Sequence, residues 1–587
     1  MLTESVARAE RIRDRVEIVL ASAVSLLFGA TFGWSYGADN QVVYLLGALR
    51  LVRPGILARD WFATQTTHYH VAYKYLAAGL MALSSQGWAV AIAHTVVVGA
   101  GTAAVYWLLR ALLERRQALV AFLLLVAVAM VERTKGPCTT YVFDHILQPS
   151  TIASAAFLVS AALFVRGRWL GAGLALGAAG LFHANFLVLL LGAAAVAHLA
   201  LGRRELGRRL LWHLGPAVLV LLLFAPMILS TAGGKDAAAA QEIYAIVRAP
   251  HHFALASCKR GFMGFLAWQL LGLGAALPLG RRPQSPAARL LCLLAGMLLV
   301  IWTGTVLSAN AGLRQATQLF AWRLVPHADL LLAALACAAA VKVLVEPGFG
   351  RRYGAGTFAL VAGGVGVLFL DAAFGRRGAT LPALTAGVLG ALLVARLVEA
   401  LGRRFASAGS AERARRLWAR AGALVAGLAA LAVLVPTSAA QIQQIYGRSS
   451  LLRGPRREEQ ALYAWMRAST PVDAVFLTPP DNENLRFHAE RAIVVDWKSN
   501  PIVPAEVLEW YRRLGDVTGA RVRSRRDLRG YGSIGEARLA DLRRRYQIDF
   551  VVLGRGQGRG LRQHKVAYAS GGFTVLDVRD EPSPGSS

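Results

Sequence analysis

Acidic side chains are few: 34 aspartates and glutamates stand against 64 lysines and arginines, giving a formal net charge of +30 over 587 residues. A sequence pI near 11.0 raises nucleic-acid binding. The placement of the cations argues against it, because arginine far outnumbers lysine and clusters in short loops between apolar runs, as membrane topology dictates. The chain shows no internal repeat of the kind that builds inverted-repeat transporters. It also lacks a small-residue cleavage site after its first apolar run, which is therefore expected to stay as an anchor. Cysteine is limited to four residues, and two of them, Cys292 and Cys337, fall inside apolar spans.

What is abundant is apolar sequence. At 56% hydrophobic residues and a mean hydropathy of +0.46, the chain is too apolar for an ordinary soluble globule, and its apolar runs repeatedly reach membrane-spanning length. The basic segment with Arg8, Arg11, Arg13 and Arg15 places the N-terminus in the cytoplasm ahead of the first span. Val71 to Ser85 is too short for a full span and reads as an interfacial or half-inserted helix; Gly87–Leu109 is then the second crossing. Further apolar segments lie near 117–131, 150–165, 169–182, 185–201, 210–231, 261–280, 288–308, 324–345, 355–374, 380–400 and 418–437. They predict an α-helical polytopic membrane protein of about thirteen transmembrane helices over 1–440. The short segments around 150–201 suggest a helix pair broken at His183-Ala184-Asn185. Most arginine pairs fall on the cytoplasmic side under this count, and an odd number of crossings leaves the C-terminal part outside.

Residues 441–580 change character. About half of the acidic residues lie in this last quarter, and short apolar runs alternate with polar turns. Helices are predicted at Arg457–Ala468, Ala505–Leu514 and Gly535–Tyr546, with strands at Ala474–Thr478, Ala492–Asp496 and Asp549–Leu553. A closing hairpin follows, formed by Lys565–Ser570 and Phe573–Asp577 around Gly571-Gly572. The reading is an extracytoplasmic α/β domain with a disordered tail at 581–587.

Chemistry concentrates in the loops assigned outside. The Trp34–His70 loop carries Asp39, just beyond the first apolar run, and Asp60 within Arg59-Asp60-Trp61-Phe62. The second outer loop holds Lys135, Cys138, Tyr141, Asp144 and His145; the third holds Asp236, Glu242, Tyr244, Arg248, Pro250, His251 and His252. Arg314, Gln315, Gln318 and Arg323 precede the 324–345 span, where an arginine fork at membrane depth suits a phosphate. Inner loops carry little besides arginine, so an active site is expected to face outward. Each residue also has a plainer reading: Asp39 in an Asx turn beside Gly37, Asp60 as a loop anchor, Asp144 as a helix cap, His183 as a partner for backbone freed at the break. The run Arg521 to Arg529 reads as a solvated or headgroup-facing surface.

In these features the chain resembles the GT-C superfamily of integral-membrane glycosyltransferases: a first span, a long outer loop with Asp39 near its start, a second with Asp144, many helices, and an outward soluble domain. It is more closely similar to an uncharacterised bacterial branch. The residues that carry this likeness are Arg59-Asp60-Trp61-Phe62, Pro250-His251-His252-Phe253, Gln318 to Arg323, Thr478-Pro479-Pro480, Arg486, Arg491, Asp496-Trp497-Lys498 and Glu509-Trp510. The resemblance implies transfer of a sugar from a polyprenyl-phosphate donor to an acceptor hydroxyl at the extracytoplasmic face of a bacterial inner membrane. Asp39 and Asp144 are then the expected catalytic residues, and Asp60, His251, His252, Arg314, Arg323, Arg491 and Lys498 the expected substrate contacts. Many members bind a divalent metal ion; here the implied ligands are Asp39, Asp144 and His145, although Asn40 stands where an adjacent second acid is commoner. The tryptophan-tryptophan-aspartate run of oligosaccharyltransferases is absent, which disfavours transfer to protein asparagine. Two other classes stay open at this point: a transporter or flippase of lipid-linked or anionic substrates, and a non-catalytic scaffold of the same fold.

The remaining cysteines, Cys138 and Cys258, fall in two different outer loops where an oxidising cell envelope permits pairing. A bridge would close about 120 residues, for which the chain-entropy estimate is on the order of 4 to 5 kcal/mol before native strain. Thiol labelling of the non-reduced, denatured protein is expected to find two reactive cysteines; four would exclude the bridge.

Overall fold

The computed structural model describes residues 2–67, 70–132, 138, 140–232, 236–253, 255–309, 320–346, 349–352, 357, 363, 443–454, 457–561 and 563–579. The expected spans 380–400 and 418–437, nearly all of 355–374, residues Lys135, Arg314, Gln315 and Gln318, the Cys258 side chain and the 581–587 tail lie outside that set.

Apolar runs become helices in the expected order. Helices α1 (Leu2–Ala30), α2 (Gln41–Tyr44), α3 (Leu46–Val52), α4 (Trp61–Gln65), α5 (Val71–Leu83), α6 (Trp88–Leu112) and α7 (Arg115–Glu132) come first. They are followed by α8 (Pro149–Val165), α9 (Trp169–Phe182), α10 (Ala184–Ala200), α11 (Leu206–Leu223), α12 (Ala225–Ala232), α13 (Ala237–Glu242), α14 (Pro250–Phe253), α15 (Leu255–Ala276), α16 (Pro286–Ala309) and α17 (Val325–Val345). Among the described residues, four helices are long and apolar enough to cross a membrane, at Trp88–Leu112, Leu206–Leu223, Pro286–Ser308 and Ala321–Val343. Shorter apolar helices, α5 and α8–α10 among them, fill the bundle between them. The segment expected as one span at 210–231 is instead two helices. Pro226 cannot donate to the carbonyl four residues earlier, and the turn around Phe224 separates α11 from α12.

Small residues let these helices meet backbone to backbone. A Cβ on Gly29 of α1 would lie 2.4 Å from the Thr95 carbonyl oxygen of α6, and one on Gly296 of α16 would lie 2.1 Å from that of Ala193 in α10. Without a hydrophobic drive between helices in lipid, such close approach supplies the packing energy. Leu27, Ile92, Val96, Leu219, Leu223, Leu299 and Val306 stay exposed, an apolar surface that lipid covers in an integral membrane protein.

The last described part is a small α/β layer: α18 (Ser450–Arg453), α19 (Arg457–Ser469), α20 (Leu485–Ala489), α21 (Pro504–Thr518) and α22 (Glu536–Tyr546) around one mixed sheet. Strands β1 (Val475–Leu477), β2 (Ala492–Ile493), β3 (Phe550–Leu553), β4 (Lys565–Ser570) and β5 (Phe573–Asp577) lie in the order β2-β1-β3-β5-β4. β1 is parallel to β2 and β3, and β5 is antiparallel to β3 and β4. Gly571 and Gly572, with φ of +64° and +88°, make the tight turn of the hairpin. Strand β2 ends sooner than the apolar run Ala492–Val495 suggests. Asp496 Oδ1 accepts the backbone N–H groups of Lys498 and Ser499 at 2.8 and 2.7 Å, which turns the chain out of the sheet. The arginine-rich run, expected as a solvated or headgroup-facing surface, also has a buried side: a 3₁₀ helix, Arg525–Ser533, is held by a capping box from Ser524 and Asp527 and buries Leu528 and Tyr531.

The Trp34–Thr67 stretch is the dock for this layer. Trp34 N–H and Tyr36 N–H donate to Ser449 Oγ and Ser450 Oγ at 3.0 and 2.9 Å, and His488 Nε2 donates to the Gly37 carbonyl at 2.8 Å. Arg59 pairs with Asp549 at 2.9 Å, and Thr67 donates twice to Glu506. At its centre Asp60, 0% exposed, accepts from the Ala63 N–H as a helix cap, from Arg486 Nε at 2.8 Å, and from the Ile493 N–H at 3.0 Å. Arg486, 2% exposed, also pairs with Asp496 and Ser499. Arg486→Met leaves two buried carboxylates without their cation and is expected to destabilise the docked layer by about 3–5 kcal/mol. Denaturant unfolding followed by tryptophan fluorescence is the measurement.

Candidate active site

A cavity of about 730 Å³ lies between the helical bundle and the soluble layer. Asp39, Asp144, His145, His251, His252, Arg323 and Lys498 all line it, so the three loops expected outside, the segment before α17 and the α/β layer converge on one space. Asp60 and Arg491 do not. Asp60 is buried in the dock, and Arg491, 4% exposed, donates to Thr470 Oγ1 and to the carbonyl oxygens of Arg467 and Thr470. The substrate contacts expected of these two are corrected accordingly: their polar groups are consumed inside the protein. Arg314 lies outside the described residues.

Part of the cavity wall is a chain of charges. His145 donates from Nε2 to Asp39 Oδ2 and from Nδ1 to Asp144 Oδ1, each at 2.7 Å. Lys498 Nζ lies 3.7 Å from Asp39 Oδ1 and 3.4 Å from Glu483, which in turn pairs with Arg525 at 3.1 Å. Burial works against a charge on His145, yet its hydrogen bonds to Asp144 and Asp39 outweigh that and raise its pKa to about 10. The same hydrogen bond, opposed by partial burial and aided by Lys498, holds the Asp39 carboxyl below its usual range. Asp39 has φ +48°, a left-handed conformation that aspartate and asparagine tolerate and most side chains do not. Asp144 is not a helix cap: its Oδ2 accepts from the Gln148 side chain at 2.9 Å while Oδ1 serves His145.

This arrangement bears on the expected metal site. Among the described residues no group of three or more His, Cys, Asp or Glu side chains is placed to hold a metal ion. Both nitrogens of His145 already face carboxylates, so Asp39, Asp144 and His145 form a relay of hydrogen bonds and do not fit a three-ligand set in this arrangement.

Arginines and histidines line the same cavity. Arg323, in a 3₁₀ turn after Phe320, is hydrogen-bonded to His183 and sits 4.9 Å over the Phe320 ring. Arg248 closes a π-helix, Ile243–Arg248, lies 5.6 Å over the Trp497 ring, and keeps a buried Nε without a hydrogen-bond partner among the described residues. His252 Nδ1 donates to the Cys138 carbonyl at 2.8 Å, tying together the two loops expected to share a disulfide. Cys138 is disulfide-bonded, and Cys292 and Cys337 are free thiols.

Several lining residues escape a linear reading. His70, whose Nδ1 donates to the Phe182 carbonyl at 3.0 Å, stands against His183 with ring centroids 5.5 Å apart. His327 bonds to Ser154 at 2.9 Å from within an apolar helix. The sequence signal was a histidine inside or between apolar runs at the outer ends of helices, where a purely structural histidine would look the same.

Residues 71–229 of the helical bundle match the family described as dolichyl-phosphate-mannose-protein mannosyltransferase. Residues 457–517 of the soluble layer match a domain of unknown function. No curated protein matches the chain. Among solved structures it is similar to ArnT from Cupriavidus metallidurans bound to undecaprenyl phosphate, at 15% identity and a TM-score of 0.49, covering 96% of this chain and 97% of that one. It is also similar to the apo oligosaccharyltransferase of Archaeoglobus fulgidus, at 14% identity and a TM-score of 0.44, covering 92% and 69%. Both scores lie below 0.5, and the reading of the site rests on its own geometry.

His145 is expected to keep its ring proton well past neutrality. In protein carrying isotope-labelled histidine, its imidazolium resonance should persist to about pH 10, and Asp39→Asn, by removing one acceptor, should move the titration toward lower pH.

Proposed function

We propose that the chain transfers a sugar from a polyprenyl-phosphate carrier to an acceptor hydroxyl, on the extracytoplasmic face of a bacterial inner membrane, with its N-terminus in the cytoplasm. The carrying observation is the shared cavity: a carboxylate–imidazole relay at Asp39, Asp144 and His145 and the cations Arg248 and Arg323 line one space. In the proposed reaction the acceptor oxygen bonds to the anomeric carbon as the bond from that carbon to the phosphate oxygen breaks. The hydroxyl proton leaves by way of Asp39, and the phosphate retains the electron pair beside the arginines. Arg248 Nε supports the phosphate assignment, because a buried donor without a partner gains most from an anion. Domain limits of 1–440 and 441–580 go with this reading, as does a Cys138–Cys258 bridge holding the loops of His145 and His252 together.

Asp39→Asn suits both the left-handed backbone and the shape of the site while removing the charge, so it tests chemistry apart from folding. With a panel of polyprenyl-phosphate-linked sugars and released polyprenyl phosphate as readout, its rate should fall about 10²-fold or more, and that of Arg323→Gln about 10²–10³-fold. Wild-type rates in Asp39→Asn would refute the role, whereas a transporter using the same cavity would release no polyprenyl phosphate in either form.

A further inference from the structure

A second, smaller hollow of about 150 Å³ opens at the far ends of helices that line the cavity. Helices α8 and α10 begin beside the candidate active site, and each runs 17 residues, about 25 Å, before reaching it. Four arginines face this hollow: Arg166 after α8, Arg204 and Arg209 where α11 begins, and Arg289 in α16. The single carboxylate there is Glu205, whose ion-pair partner is Arg208, 3.9 Å away. None of the four arginines is ion-paired among the described residues. Three of them are held by carbonyl oxygens: Arg166 donates to Trp107 at 2.7 Å, Arg289 to Val165 at 3.0 Å, and Arg209 to His198 and Gly202. Carbonyls fix the guanidinium groups without cancelling their charge.

The decisive group is Arg209. It is 4% exposed, and its Nε has no hydrogen-bond partner among the described residues. A buried cation with an open donor is costly unless an anion comes to it. The surroundings say which source of anion suits it. Trp169, with Arg289 5.5 Å over its ring, sits at the mouth as an interfacial aromatic. Leu170 and Leu174 of α9, Leu199 of α10, and Leu211 and Trp212 of α11 are exposed around it, an apolar wall long enough for acyl chains.

We propose that this hollow binds the phosphate of an anionic phospholipid headgroup at the membrane face opposite the candidate active site. The site is independent of sugar transfer, and its chemistry does not require the reading given above for the large cavity. Inorganic phosphate has the same charge and acceptors, so the test separates the two sources.

Native mass spectrometry of the full chain in neutral detergent, titrated with dioleoyl phosphatidylglycerol and separately with dioleoyl phosphatidylcholine, reads the lipid. Calorimetry with inorganic phosphate reads the free ion. Arg204→Gln and Arg289→Gln are the informative variants, because Arg209 is packed between helices and its loss endangers folding; Arg204, being exposed, serves alone where Arg289→Gln lowers the melting temperature. Phosphatidylglycerol affinity is expected to fall about fivefold per arginine removed, with phosphatidylcholine unaffected. Equal phosphatidylglycerol affinity in wild type and double variant would overturn the proposal. So would arginine-dependent binding of inorganic phosphate accompanied by no preference for phosphatidylglycerol.

Discussion

One buried cation between two carboxylates holds the two halves of this protein in register. Arg486 reaches Asp60 of the Trp34–His70 loop on one side and Asp496 of the α/β layer on the other, and all three are 2% exposed or less. Such a group is a weak source of net stability, since desolvation consumes most of the attraction, but its geometry is demanding. An alternative docking that parts Arg486 from either carboxylate leaves a buried charge alone. Specificity of placement is therefore what the triad provides, and the site inherits it. Asp496 Oδ2 meets Arg486, and its Oδ1 orients the turn that presents Trp497 and Lys498 to the cavity. Lys498 then reaches Asp39, which belongs to the same outer loop as Asp60.

The consequence is a site assembled from two separately built parts. The bundle contributes Asp144, His145 and Arg323; the layer contributes Glu483, Lys498 and Arg525. Neither part alone encloses the space between them. Packing within the bundle depends on glycine crossings such as Gly29 on Thr95, which fix helix spacing but say nothing about the layer. Placement of Lys498 against Asp39 depends on the dock.

Much of the architecture was legible because its signals are local. Apolar length gave the helices, the break at His183 followed from two short runs, and the Gly571-Gly572 hairpin followed from turn chemistry. Asp39, Asp144, His145, His251, His252, Arg323 and Lys498 were reached from loop position and residue type. Asp60 was misread because a polar residue in an aromatic loop looks the same in sequence whether its partner is a substrate or an arginine over four hundred positions away, and Arg491 because the Thr470 hydroxyl and the carbonyl oxygens that hold it leave no mark in the sequence. The early end of β2 and the buried side of the Arg525–Ser533 helix were missed for a related reason: side chains of Asp496 and Asp527 bond the backbone locally and override apolar periodicity. His70 and His327 carry no pattern until the helices bring them to one cavity, whereas His183, expected as a partner for backbone freed at the break, accepts the Phe186 N–H there.

The electrostatics divide the chemical work unevenly between the relay and the arginines of the cavity. Asp39 is held ionised by His145 and Lys498, and a carboxylate of lowered pKa is a poor proton acceptor near neutrality. It is better suited to hold an acceptor hydroxyl by a strong hydrogen bond and to take its proton late, once the oxygen has begun to bond to carbon. The departing phosphate needs no proton, because a phosphate monoester ionises for the second time near roughly pH 6. What it needs is compensation for the negative charge it gains as the bond breaks. In the proposed reaction that compensation would come from Arg248 and Arg323, which are held against Trp497, Phe320 and His183. The larger share of barrier lowering in the proposed transfer therefore falls on the arginines, while the Asp39–His145–Asp144 relay sets which acceptor oxygen is brought into line.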